Sequence, residues 1–294
     1  MRPASNSARI GTWGPRELLV AQKMAKERLS AQFASIEQAS MTMPTAPPGT
    51  YVVYRADGIK VSKRYLADKF SYPAFATALH GAIENVYHLF RRCTGEEHGE
   101  REGGNFFLGM IAVSDEVSFV LNNRRNFLGN RLLKTTTSLA STLSAAMSLR
   151  FANESTRTAK PTAGGHRWPQ VVAFDGRPLV LDGYGQLEEY LEHRWLLSAR
   201  SAMCKVLRVE KIVSERDLYA TDLKEDIPEL AALLDQHGLR ESCSELMKEF
   251  TLFLPEQPNA EAKLVPFSTP PGFGDDALAL HRSRFRETAA GLSR

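Results

Sequence analysis

The chain has 294 residues, 43% of them hydrophobic and 24% charged, a globular composition with enough length to bury a core without covalent staples. A net charge of +3, from 37 basic and 34 acidic residues, excludes a strongly polycationic protein and leaves global charge a weak guide to partners. No apolar run approaches the roughly 18 residues of a membrane helix, and the distant Cys93, Cys204 and Cys243 have neither disulfide-framework nor metal-site spacing. The expectation is therefore a cytoplasmic chain with no metal, no cofactor and no membrane partner.

Residues 1–14 carry Arg2 and Arg9, with no acid before Glu17, and read as a disordered arm. A helix is expected over 15–40, because Pro15 suits a first turn and Leu18, Ala25, Leu29, Phe33 and Ile36 recur at helical spacing. The Pro-containing stretch 41–50 breaks it. A hairpin about Asp57-Gly58 is expected over 51–61, then a helix over 73–92 that buries Phe75, Leu79, Ile83, Val86 and Phe90. After a charged loop at 94–104, strands are expected over 106–113 and 117–121, joined at Ser114-Asp115.

A second long helix is expected over 126–151, on a stripe of Leu128, Leu132, Leu139 and Leu143. The stretch 155–169 reads as loop. Residues 170–182 read as strand–turn–strand about Asp175-Gly176, and a helix then carries Leu187, Tyr190, Leu191 and Trp195. A strand over 205–213, helices over 227–236 and 241–253, and a Pro- and Gly-rich end expected to be mobile or only partly docked complete the chain.

These elements add up to an α+β fold of antiparallel β-hairpins packed against several amphipathic helices. The expected organisation is an N-terminal arm and helix (1–45), an α+β body (50–254) and a tail (255–294). The body divides into two hairpin–helix halves, 50–150 and 168–254. Both halves open on a Val-Val strand and an Asp-Gly step, as a pseudo-repeat would.

Charge is distributed unevenly. Between Val117 and Phe174 stand eight basic residues and one acid, Glu154, a local charge of +7. Arg124, Arg125, Arg131, Lys134, Arg150 and Arg167 could contact phosphates, and Trp168 could stack on a base. This asymmetry points to a non-catalytic binding protein that engages nucleic acid or another polyanion through residues near 124–167.

Two alternatives stand beside it. One is a protein-interaction or assembly protein, effector-like in one variant, that offers the 15–40 helix to a partner or a second copy. The other is an enzyme with a site near 182–193, where Glu189 and His193 lie four apart on a helix and Asp182 could join them on a metal. The same region, VVAFDGRPLVLDGYGQLEEY, resembles the opening of the ParB and sulfiredoxin superfamily. Its turn, Gly183-Tyr184-Gly185-Gln186, carries no arginine or histidine, so that family's phosphate-binding side chains are missing.

Overall fold

Six strands form one antiparallel sheet in the order β4-β1-β3-β2-β5-β6. They are β1 (Tyr51–Gly58), β2 (Phe107–Val113), β3 (Glu116–Asn122), β4 (Phe174–Leu181), β5 (Thr251–Pro255) and β6 (Leu264–Ser268). The structure is a computed structural model that describes residues 16–61, 72–91, 106–122, 127–158, 171–255, 264–268 and 275–292. Among these residues are eight α-helices: α1 (Arg16–Ser40), α2 (Tyr72–Arg91), α3 (Leu132–Thr158), α4 (Tyr184–Val209), α5 (Glu215–Ala220), α6 (Ile227–Gln236), α7 (Arg240–Met247) and α8 (Asp275–Leu292). The expected α+β class with an antiparallel sheet is what the chain adopts.

Helices cover both faces of the sheet, which explains why strands such as Phe107–Val113 are buried throughout. Side chains alternate between faces along a strand. In β1, Val52, Tyr54 and Ala56 join a core with Phe75, Leu79, Ile83 and Val86 of α2 and Leu139 and Leu143 of α3. Val53 points the other way, into a core with Leu29 and Phe33 of α1 and Trp195, Met203 and Leu207 of α4. The apolar stripe of α1 is thus largely spent within the chain rather than offered outward. The helix is pinned by Ser40, whose Oγ donates to the Ile36 carbonyl at 2.7 Å and accepts from the Val180 N–H at 2.9 Å.

Several sequence expectations are corrected. Asp57-Gly58 does not turn a hairpin; it closes β1, which pairs with β3 on one side and β4 on the other. Asp175-Gly176 likewise lies within the continuous strand β4, with Gly176 opposite Ala56. Gly176 is needed there for close approach, since a Cβ would stand 2.6 Å from Thr136 Cγ2 of α3. Long-range pairing with β1 overrides the local turn preference at both steps, so neither segment is a hairpin and the resemblance drawn through one falls with it.

Of the strand expected over 205–213, residues 205–209 are instead the end of α4, where Val206 and Leu207 continue the buried face of Ala202 and Met203, and residues 210–213 are the turn that follows. The helix expected to reach 253 stops at Met247, and Thr251–Pro255 becomes β5 between β2 and β6. The end expected to be mobile or only partly docked supplies β6 and α8, with Leu278, His281 and Phe285 of α8 buried.

Candidate active site

β1 lies between β4 and β3, and their register brings charged residues level. Asp57 is opposite Glu116 on β3 and opposite Asp175 on β4. Residues directly opposite point to the same face of a sheet, so Asp175, Asp57 and Glu116 form a row of three carboxylates across three strands. Two residues along, and therefore on the same face, Arg55 is opposite Arg177 and Ser118. Like charges directly opposite destabilise a sheet. A row of three is therefore a feature that folding alone does not favour.

A fourth carboxylate closes the end of the row. The β2–β3 turn is Ser114-Asp115, and Ser114 takes a left-handed φ of 55°, a conformation that costs a non-glycine residue energy. This turn lies against the end of β1: the Gly58 N–H donates to the Asp115 carbonyl at 3.0 Å. Gly58 permits the contact, because a Cβ there would meet that carbonyl oxygen at 3.1 Å and the Val61 side chain at 2.6 Å. Burial, and then the charges of Glu116, Asp115 and Asp175, push the Asp57 carboxyl up to about 6, with Arg55 opposing.

Arginines and one further acid flank the row. Arg194 of α4, only 5% exposed, places Nη2 2.7 Å from Glu116 Oε1. Arg55 Nη2 is 2.7 Å from Oε2 of Glu37 on α1. Arg177 bridges Glu37 at 3.2 Å and Asp175 at 3.1 Å. Lys205 of α4 lies 3.8 Å from Glu249; burial lowers its ammonium, while Glu249 and Asp115 act in the opposite direction. Among the described residues, no three His, Cys, Asp or Glu side chains are arranged to hold a metal ion by themselves.

The residues singled out from sequence are elsewhere. Arg131 and Lys134 are exposed at the start of α3, and Arg131 Nε donates to the Leu128 carbonyl at 3.3 Å. Arg150 lies 16 residues beyond Lys134 on α3, about 24 Å along the axis. It is turned onto α2, donating to Asn85 Oδ1 at 3.0 Å. Arg124, Arg125, Arg167 and Trp168 lie outside the described residues.

The metal site considered near 182–193 does not form. Glu189 accepts from Gln32 Nε2 of α1 at 2.8 Å, while Glu188 and Glu192 pair with Arg286 and Arg282 of α8. His193 is buried, 3.1 Å from Ser30 Oγ and stacked on Phe33. These side chains tie α4 to its neighbours. Sequence reading missed the acidic row because Asp57, Asp115 and Asp175 sit in segments that local signals assign to turns. The signal available was the repeated Asp-Gly at buried strands and the acid pair Asp115-Glu116 between two apolar ones.

No protein-family model matches the chain, and no curated protein matches it. Solved structures do share its fold. A bacterial tRNA(His) guanylyltransferase (Thg1)-like protein in complex with GTP superimposes with a TM-score of 0.53 at 15% identity, over 89% of this chain and 98% of that one. The tRNA(His) guanylyltransferase from Saccharomyces cerevisiae gives 0.52 at 17% identity, over 77% and 94%. The bacterial Thg1-like protein in complex with ATP gives 0.53 at 14% identity, over 81% and 90%. The fold is therefore one on which guanylyltransferases are built, and this overturns the reading of the chain as a non-catalytic binding protein. Of the alternatives raised from sequence, the enzyme is the better supported.

Proposed function

We propose that the chain is a divalent-cation-dependent nucleotidyltransferase that adds a nucleotide from a nucleoside triphosphate to an RNA. The observation that carries this reading is the row Asp175, Asp57 and Glu116, closed by Asp115, on a fold shared with guanylyltransferase-like proteins solved with GTP and with ATP. In such a transfer an acceptor oxygen bonds to the α-phosphorus, the α–β P–O bond breaks, and pyrophosphate leaves.

The donor set fits a hard cation. It is all carboxylate oxygen, and burial and the crowding of like charge, which together raise Asp57, are what a cation would relieve. Mg²⁺ commonly takes one or two carboxylates from a protein and its remaining ligands from phosphates and water, which suits a row that is not a closed cage. Asp57 and Asp115 would hold it, and when bound it would neutralise charge on the triphosphate and activate the acceptor oxygen. The protein's own part is placement: β-pairing sets Asp57, and the Gly58 N–H to Asp115 carbonyl bond sets the turn beside it. We assign Arg131 and Lys134, with Arg124, Arg125, Arg167 and Trp168, to the RNA; Arg150 is engaged on α2.

The test supplies GTP or ATP labelled at the α-phosphate, tRNA and Mg²⁺, and follows label into RNA. Transfer should require Mg²⁺ and fall by about a hundredfold in Asp57→Asn and in Asp115→Asn, with the Asp57 variant melting no earlier than the wild type. Label that never enters RNA, from either nucleotide, would reject the reading.

A further inference from the structure

Six charged side chains, two of them members of the row, form an alternating chain of ion pairs: Asp175, Arg177, Glu37, Arg55, Glu116 and Arg194. Successive links are 3.1, 3.2, 2.7, 3.9 and 2.7 Å long. Three arginines cancel three carboxylates, so the chain is neutral. Asp57 stands at its centre by register and forms no ion pair among the described residues. The three carboxylates set side by side on the strands are thus not equivalent. Glu116 and Asp175 each pair with a guanidinium, at 2.7 and 3.1 Å, whereas the charges of Arg55 and Arg194 reach Asp57 without an ion pair among the described residues.

Arg194 is built for this contact. It leaves α4 one turn after Tyr190, whose hydroxyl lies 2.8 Å from Ser118 Oγ. Glu116 precedes Ser118 by two residues on β3, so α4 runs along that strand and presents one side chain to each. Tyr190 is fully buried and Arg194 nearly so, which leaves the guanidinium no solvent to turn towards. A buried charge is held by its partner, and the partner is held in return.

We infer that Arg194 is a positioning residue, which anchors the Glu116 carboxylate to α4 and keeps it out of the cation site, so that the row binds a divalent cation at Asp57 without Glu116 as a ligand. Arg177 does the same for Asp175, and Glu37 links the two anchors through Arg55. The inference rests on the nucleotidyltransferase reading. It assigns to α1 and α4, which carry Glu37 and Arg194, the role of choosing which carboxylates of the row remain available.

Mn²⁺ titration of the full chain, followed by the loss of the free-ion electron paramagnetic resonance signal, tests this without requiring turnover. The double variant Glu116→Gln/Arg194→Met removes both buried charges, and its Mn²⁺ affinity should stay within about threefold of the wild type. Arg194→Met alone releases a carboxylate into the row. It should tighten Mn²⁺ by about fivefold or more and lower kcat more than it changes KM for the triphosphate, and Arg194→Lys should restore both. A double variant that loses about tenfold or more in Mn²⁺ affinity would make Glu116 a ligand and overturn the inference. An Arg194→Met protein with unchanged affinity and kcat would overturn it as well. If that single variant does not fold, the double variant decides alone. Failure of the underlying reading looks different: wild type that binds no Mn²⁺, or Asp57→Asn with wild-type affinity.

Discussion

Replacing Asp57 by asparagine should make the protein more stable even as it lowers the proposed nucleotide transfer. Asn keeps the shape of Asp57 and removes the charge that faces Glu116, Asp115 and Asp175. The sign follows from linkage. A carboxyl raised above its unfolded value destabilises the fold once it ionises, and that penalty disappears as pH falls below the ordinary carboxylate range. The gap between an ordinary carboxyl at 3.8 and Asp57 at about 6 corresponds to about 3 kcal/mol at pH 7.5. Asp57 is only half-buried, so solvent screens the repulsion, and about 1.5 kcal/mol is the expected gain. At pH 4.5 the gain should shrink to about a third, since Asp57 is then mostly protonated in the wild type. Urea unfolding of both proteins at the two pH values, with and without Mg²⁺, measures this. Mg²⁺ should raise the wild-type midpoint and leave the variant where it is. An Asp57→Asn protein less stable than the wild type at pH 7.5, or a gain undiminished at pH 4.5, would refute the argument that burial, with repulsion from the row, raises Asp57.

Two further outcomes rest on the same structure. Burial lowers His193 to about 3, helped by Arg194, Arg55, Arg200 and Lys26, and lowers His281 to about 4. Both must stay neutral in the folded state, so their contribution is complete above the unfolded histidine value and is lost as pH falls towards the folded ones. Going from pH 7.5 to 5 should cost about 2 kcal/mol for each, and His281→Phe, beside Phe250 and Phe267, should remove close to half of the acid sensitivity in denaturant melts. A Cβ at Gly109 would stand 2.8 Å from the Phe285 ring of α8. Gly109→Ala should therefore cost about 1–3 kcal/mol and expose the C-terminal helix to limited proteolysis, whereas unchanged stability and cleavage would mean that α8 is not seated there.

Much of the fold could be read locally. The helical spacing of Leu29 and Phe33, or of Phe75, Leu79, Ile83 and Val86, marks buried faces wherever the partner lies, because a 3.6-residue period needs only one apolar neighbour. The strand pair joined at Ser114-Asp115 was legible for the same reason: hairpins are local. Misreadings fell where two elements far apart in sequence compete with a local preference. Val206 and Val209 favour a strand by propensity, yet burial against the sheet continues the helix. The segment that became β5 lacked a visible partner until β2 and β6 flanked it.

The sequence by itself determined the α+β class, the placement of α1, α2 and α6, and the acids at Asp57, Asp115, Glu116 and Asp175 as isolated features of separate segments. Only the tertiary structure decided that β1 lies between β4 and β3 in a register that sets Asp57 level with Asp175 and Glu116. Local propensity carries no information about register, which is chosen by which faces can be buried against distant helices, and a slip of one residue would turn the whole acidic row to the opposite face.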